Sequence, residues 1–246
     1  MSYRDSNVPT WFEDGAGIWF TSDTHFGHAN IIGYTNRPFS DVDEMDATLV
    51  ANWNRVVGKD DLVFHLGDFC FGTPGDWRSI RERLNGRIIL ILGNHDMKMY
   101  GKKPELFRDL FDYTSPQMMI KVENRRVILN HCPMLCYSGA FKSALKATWQ
   151  LFGHVHSGPL NDKGLDIPRL KYCFPYQYDV GVDNNDFTPV SWKKICSRID
   201  EQWARQDLKD KEDREKAAQE AVSAYLAEDR WRNRHLRMSS THPSSF

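Results

Sequence analysis

The chain has no excess of either charge: 32 basic residues face 33 acidic ones, for a formal net charge of -1. That balance excludes a chain-wide basic footprint for duplex nucleic acid and leaves room only for a local patch. The five cysteines, Cys70, Cys132, Cys136, Cys173 and Cys196, include no CxxC unit. An odd, unclustered set reads as reduced thiols rather than a disulfide framework. No apolar run is long enough to span a membrane, and no apolar signal segment follows Met1-Ser2-Tyr3-Arg4-Asp5. These absences lead to the expectation of a cytoplasmic protein. No internal repeat is visible.

The remainder is a globular composition, with 246 residues, 13% aromatic and 26% charged. That length buries a sizeable core in one domain with some tail to spare. Short β-branched and aromatic runs recur, and each closes on a turn former. Ile18-Trp19-Phe20-Thr21 ends at Ser22-Asp23, and Asp61 to Leu66 ends at Gly67-Asp68. Arg87 to Leu92 ends at Gly93-Asn94, Arg126 to Leu129 at Asn130-His131, and Gln150 to Phe152 at Gly153-His154. Each has the length and boundaries of a buried strand. In open α/β sheets, ligands collect outside the carboxyl ends of strands.

Helical patterns lie between them. Ser40 to Val57 begins at a capping serine, carries acids in its first turn and repeats Met45, Leu49, Trp53 and Val56. Asp76 to Leu84 sets Trp77, Ile80 and Leu84 on one face; Met45, Trp53 and Trp77 are read as core. Gln117 to Val122, Tyr178 to Val182 and Pro189 to Trp192 alternate as strands do. The order predicts a layered α/β sandwich with mixed sheets. Residues 1–199 are expected to form that domain. From Asp200 to Arg237, Glu, Lys, Arg, Asp and Ala dominate, with Asp207/Lys211 and Glu212/Lys216 at favourable helical spacing. This segment, 200–237, is expected to be one charged helix with a narrow stripe at Val222, Tyr225 and Leu226. It is either a solvated appendage or an arm for homo-oligomer or partner contact. The Ser-rich residues 238–246 are expected to be disordered.

The strand ends carry Asp23-Thr24-His25, Gly67-Asp68, Gly93-Asn94-His95-Asp96, His131 and Gly153-His154-Val155-His156. Singly, such groups occur as turn residues or helix caps. As an ordered set they present oxygen and imidazole ligands to one point, as a hydrolytic two-metal site requires. Asp23 and His25, two apart, reach one metal from one turn; His154 and His156 repeat that spacing. Asp68, alone at its strand end, is a natural bridge, and Asn94 with His131 completes the second ion. Mixed oxygen and imidazole donors favour Mn, Fe or Zn over Ca or a thiolate-bound metal. His65, inside a strand run, reads as packed, and Cys132 as an inert neighbour of His131.

The ordered pattern D-x-H, G-D, G-N-H-[DE], H, G-H-x-H from Asp23 to His156 resembles the calcineurin-like metallophosphoesterases. Ser22 to Ile32, Asn36-Arg37-Pro38-Phe39, Gly181-Val182-Asp183 and Pro189-Val190-Ser191 resemble small bacterial and phage members. The resemblance covers about residues 17–195. It implies a four-layer α-β-β-α sandwich of two mixed sheets flanked by helices, here with an extra C-terminal helix. It implies two divalent ions, Mn²⁺ first, with Fe, Zn, Ni or Co as alternatives. One would take Asp23, His25, Asp68 and His156; the other Asp68, Asn94, His131 and His154. A hydroxide bridging the metals would attack the phosphorus. His95 would meet the phosphate and protonate the leaving oxygen, and Asp96 would orient the His95 ring. His28 either faces the phosphate or caps the following turn, and Arg37 either meets substrate charge or is structural. The substrate is a phosphate ester, read here as a nucleotide-type phosphodiester. The alternatives are a protein or small-molecule phosphomonoester, a nuclease substrate, or a scaffold that binds without catalysis. No membrane or duplex nucleic-acid partner is expected.

Overall fold

The structure is a computed structural model that describes residues 9–140, 146–161 and 167–239. Its contacts fall into two units, one closing at Asp200 and one opening at Glu201. The first unit begins with β1 (Trp11–Phe12), β2 (Ile18–Thr21), α1 (Ala29–Tyr34) and α2 (Val42–Val56). It continues through β3 (Leu62–His65), α3 (Pro74–Arg83), β4 (Arg87–Ile91), α4 (Asp96–Lys102) and α5 (Pro104–Leu110). Then come β5 (Tyr113–Ser115), β6 (Gln117–Val122), β7 (Arg125–Asn130), β8 (Trp149–Phe152) and β9 (Gln177–Asp179). β10 (Val190–Ser191) runs directly into α6 (Trp192–Ser239).

One sheet has the order β10-β2-β3-β4-β5, parallel except for β10. The other has the order β1-β6-β7-β8-β9, in which β6 and β7 form the antiparallel pair. Two mixed sheets flanked by helices are the expected architecture, and a helix stands at the C-terminal end. β3 is buried along its whole length, as a strand covered on both faces must be. Its Val63 joins Ile88 and Leu90 of β4 against Met45, Leu49 and Trp53 of α2, Trp77 of α3 and Phe107 of α5. On the opposite face Phe20 stacks on Phe64 at 5.3 Å, and Phe12 from the second sheet meets Phe64 edge-on at 5.9 Å. The two sheets therefore share an aromatic core and bring the carboxyl ends of their parallel strands together. The backbone of Ser22 pairs in parallel with Gly181, beyond the end of β9, and closes the seam.

Several boundaries differ from the sequence expectation. Asp41, not Ser40, caps α2: its extended backbone lets the carboxylate accept the Glu44 N–H at 2.8 Å. Ser40 instead donates its N–H and Oγ–H to Glu44, both at 2.7 Å. α3 starts two residues before Asp76, because Thr73 and Asp76 form a capping box and Pro74 suits the first turn. The strand expected through Val182 stops at Asp179, where Gly181 N–H turns back to the Asp179 carboxylate at 2.8 Å. Only Val190 and Ser191 of the last expected strand pair, and α6 already begins at Trp192. Within the first unit Trp192, Ile195 and Ile199 of α6 are buried. In the second unit the described side chains from 204 to 220 are all exposed. The side chains of Val222, Tyr225 and Leu226, and residues 240–246, lie outside the described residues. No described helix is long and apolar enough to cross a membrane.

His65 is packed, as expected, and its hydrogen bonds define its proton. Thr24 Oγ donates to Phe69 O at 2.8 Å, so it accepts from His65 Nε2 at 2.9 Å. Nδ1 accepts the Gly67 N–H at 3.2 Å. Burial pushes this imidazole down to about 3. A histidine lowered in the fold and ordinary when unfolded takes up its proton on unfolding. The stability it contributes is therefore complete above about pH 6.5 and is lost as pH falls toward 3. We expect ¹⁵N NMR to show the neutral Nε2–H form of His65 at pH 5; a titration midpoint near 6.5 in the folded protein would contradict this.

Candidate metal centre

Five of the chain's ligand-type residues stand where few side chains do. Asp23, His25, Asp68, His154 and His156 have φ of 58°, 51°, 56°, 71° and 49°. Left-handed backbone at a non-glycine residue is uncommon, and Asp and His tolerate it better than most. Each lies two to four residues beyond a strand end, where the chain reverses sharply and the side chain is thrown across that end. The turns are stitched together: Asp23 N–H donates to Gly67 O at 2.9 Å and His25 N–H to Asp68 O at 3.0 Å. Gly93 and Gly153 are required by this closeness. A Cβ at Gly93 would overlap the Asp68 carboxylate, and one at Gly153 the Asp23 carboxylate.

The side chains converge in two groups that share Asp68. In the first, Asp23 Oδ1 lies 3.9 Å from His25 Nε2 and 3.7 Å from His156 Nε2. Asp68 Oδ2 lies 3.6 Å from the same His25 nitrogen. In the second, His131 Nε2 is 3.4 Å from Asp68 Oδ2, 3.0 Å from Asn94 Oδ1 and 3.2 Å from His154 Nδ1. Asn94 Oδ1 is 3.0 Å from His154 Nδ1. With metal–ligand bonds of about 2.1 Å, adjacent donors of one ion sit roughly 3.0–3.4 Å apart. Both groups are near that spacing, and the first is slightly wider. Asp23 Oδ1 and His25 Nε2 are buried without a hydrogen-bond partner. Orphaned polar atoms of this kind are rare, and a shared cation would satisfy both. The donor set therefore fits two divalent ions.

The outer atoms of these ligands are held as metal ligands usually are. His131 Nδ1 donates to Leu66 O at 2.8 Å, and His156 Nδ1 meets Asp183 Oδ2 at 2.8 Å. Asp68 Oδ1 accepts the His95 N–H at 2.9 Å, which leaves Oδ2 facing the cluster. Burial, then the neighbouring His156 and Arg37, hold His25 well below the ordinary imidazole value, so it is neutral and ready to ligate. Burial also works against a charged His131, but the hydrogen bond and charge of Asp68, with Asp23, raise it to about 9. A proton competes with an ion for that nitrogen.

One alternative is decided here and one expectation is corrected. Arg37 does not face substrate: it is buried, and its guanidinium binds Asp183 through Nε at 2.8 Å and Nη2 at 2.9 Å. Its remaining donors take the carbonyls of Asp23 and Thr24 at 2.7 and 3.0 Å, fixing the first ligand turn from behind. Asp96 does not orient the His95 ring. Its carboxylate is fully buried and accepts the N–H groups of Asp68 at 2.8 Å, Phe69 at 3.0 Å and Gly93 at 2.9 Å. A short acid at the first position of α4 points back under the strand ends rather than toward its own neighbour. Burial, then the charge of Asp68, pushes Asp96 up to about 7.

His95 is placed at the mouth. Its side chain is 46% exposed, with Nε2 3.9 Å from Asp68 Oδ2. His28 is half-buried at the same opening; its ring stacks on Phe71 at 4.0 Å and its Nδ1 is 3.4 Å from His25 Nδ1. It makes no side-chain cap to α1. The exposed Cys132 brings its sulfur within 4.8 Å of ring nitrogens of His131 and His154. Asp183, Phe71 and the Leu66 carbonyl were not singled out from sequence as site residues. Asp183 alone left a trace there, as an acid directly after a short strand and a glycine.

Known proteins resemble this chain in sequence and fold. The family model for calcineurin-like phosphoesterases matches residues 16–158. An uncharacterized protein of Methanocaldococcus jannaschii is 36% identical over 185 residues, covering 74% of this chain and 91% of its own. The gene 66 protein of Mycobacterium phage L5 is 37% identical over 215 residues, with 74% and 91% covered. The crystal structure of a protein of unknown function from Aquifex aeolicus superposes with a TM-score of 0.55 at 26% identity, over 73% of this chain and 97% of that one.

The Asp96 clamp has a measurable consequence. Asp96→Asn replaces one accepting oxygen with a donor and strands at least one buried N–H, at a cost of about 1–3 kcal/mol. The melting temperature should drop by roughly 3–10 °C, and metal affinity should weaken with it. A variant that melts with the parent and alters only the pH dependence of turnover would restore the ring-orienting role.

Proposed function

Because the chain belongs to the calcineurin-like phosphoesterase family, we propose that it is a two-metal hydrolase of phosphate esters, with a nucleotide-type phosphodiester as substrate. The observation that carries this reading is the sharing of Asp68 Oδ2 by two donor groups, one of which ends in unpartnered Asp23 and His25 atoms. Asp23, His25, Asp68 and His156 would hold one ion and Asp68, Asn94, His131 and His154 the other. Divalent ions held there, Mn²⁺ first, would supply an acidified water and would draw charge from both the attacking and the leaving oxygen.

The protein's own residues do the rest. Asn94, His95 and His154 form the open side, so the scissile phosphate is presented to them. His95 delivers its ring proton to the leaving oxygen, and its backbone bond to Asp68 keeps it in register with the ligand it serves. His28, braced flat on Phe71, offers a second imidazole to a phosphate oxygen. Buried Asp68, Asp23 and His131 exclude solvent from the inner side, which strengthens every charge interaction there. The stacked rings beside the opening favour a substrate with a flat group near the phosphate.

Asp68→Asn and His131→Ala should lose metal and hydrolysis together, as read by metal content and by turnover of a phosphomono- and phosphodiester panel with Mn²⁺. His95→Ala should keep its metal and lose about 10²- to 10⁴-fold in rate. Parent-like turnover in His95→Ala would sink the acid role. A preference for phosphomonoesters across the panel would replace the diester reading.

A further inference from the structure

A cavity of about 450 Å³ opens beside His95, away from the buried ligands, and the proposed chemistry does not use it. Asn94, His95 and Phe71 line it together with Lys98 and Lys102. His95, Lys98 and Lys102 are spaced 3 and 7 residues apart at the start of and along α4, so they share one face. Both lysines are exposed, and among the described residues neither is paired with a carboxylate. Like charges four residues apart on a helix repel, and that cost is recovered when an anion lies between them. The rest of the lining is different: Trp77 and Met99 are apolar, and Phe71 carries the stacked His28. A second cavity of about 570 Å³, on the His154 side, is lined among the described residues by Cys132, Met134, Leu135 and Tyr172 among others, and Lys171 Nζ lies 4.9 Å from the Tyr172 ring centroid.

We infer that the cavity beside His95 is a subsite for a second phosphate, carried on the leaving group of the substrate. The inference rests on the hydrolase reading, because His95 as proton donor defines the side from which the leaving group departs. In the reaction the water oxygen bonds to phosphorus and the bond from phosphorus to the leaving oxygen breaks. The leaving oxygen takes the His95 proton, the proton given up by water returns to His95 through solvent, and the leaving fragment departs with its own phosphate. A phosphate is matched to this lining because two ammonium groups can share its charge. The cavity volume also suits a nucleoside-sized fragment. The overall charge balance of the chain hides this patch, since it consists of only two residues.

The shared chemistry, a second phosphate one linkage away, occurs in phosphoanhydrides and in nucleotide chains, and two ligand pairs separate them. Calorimetry on the full chain loaded with Mn²⁺ would compare AMP with ADP, and thymidine 5′-monophosphate with thymidine 3′,5′-bisphosphate. The second phosphate should tighten binding about tenfold in at least one pair, and the pair that responds identifies the source. In a K98Q/K102Q variant that gain should fall to about twofold or less, while K98R/K102R should retain it. Equal affinities within both pairs, or a gain that survives K98Q/K102Q, would overturn the subsite. p-Nitrophenyl phosphate and bis(p-nitrophenyl) phosphate, neither of which has a second phosphate, are assayed in parallel. Failure of both to turn over would sink the hydrolase reading, while the binding comparison still decides the subsite.

Discussion

The carboxylate of Asp68 is the point on which the two halves of the site depend. One oxygen takes the His95 N–H, and the other stands within 3.6 Å of His25 and 3.4 Å of His131. His25 is delivered by the sheet that contains β2, and His131 by the sheet that contains β7. A single buried oxygen thus joins donors from two sheets. Unbalanced negative charge in such a place is costly, and the surrounding imidazoles offset it only if they are themselves held in position. Much of the nearby structure serves that purpose.

Support comes from behind the ligands rather than from the mouth. Asp96 gathers three backbone N–H groups, including that of Asp68, and Arg37 gathers two carbonyls from the Asp23 turn. Arg37 then binds Asp183, which in turn meets His156. The left-handed backbone at five ligand residues is a strained arrangement of the kind that persists when its surroundings over-determine it. These buried charged groups supply that determination. Removing one therefore acts on stability and on ligand geometry together, which separates them from the exposed His95.

The ligand residues were legible in the sequence because each occupies the first turn after a buried strand, where apolar run, glycine and polar residue stand next to one another. The same signal located β2, β3, β4, β7 and β8 to within a residue or two. Short elements escaped it: β1 has two residues, β5 three, and α1, α4 and α5 one or two turns. Their apolar patterns are too short to show a period, and tertiary contacts hold them. The role of Asp96 was misread, and that of Arg37 left open, for a related reason. Position in the chain shows that a charge lies near a ligand, but not whether its side chain points to solvent or under the strand ends. That depends on long-range pairs such as Arg37 with Asp183, 146 residues away.

Anomalous diffraction from crystals of the protein grown with Mn²⁺ tests the shared carboxylate most directly. Two peaks should appear about 3.5–4 Å apart, with Asp68 Oδ2 bound to both, His25 on one side and His131 on the other. A single ion, or two ions of which only one touches Asp68, would contradict that sharing.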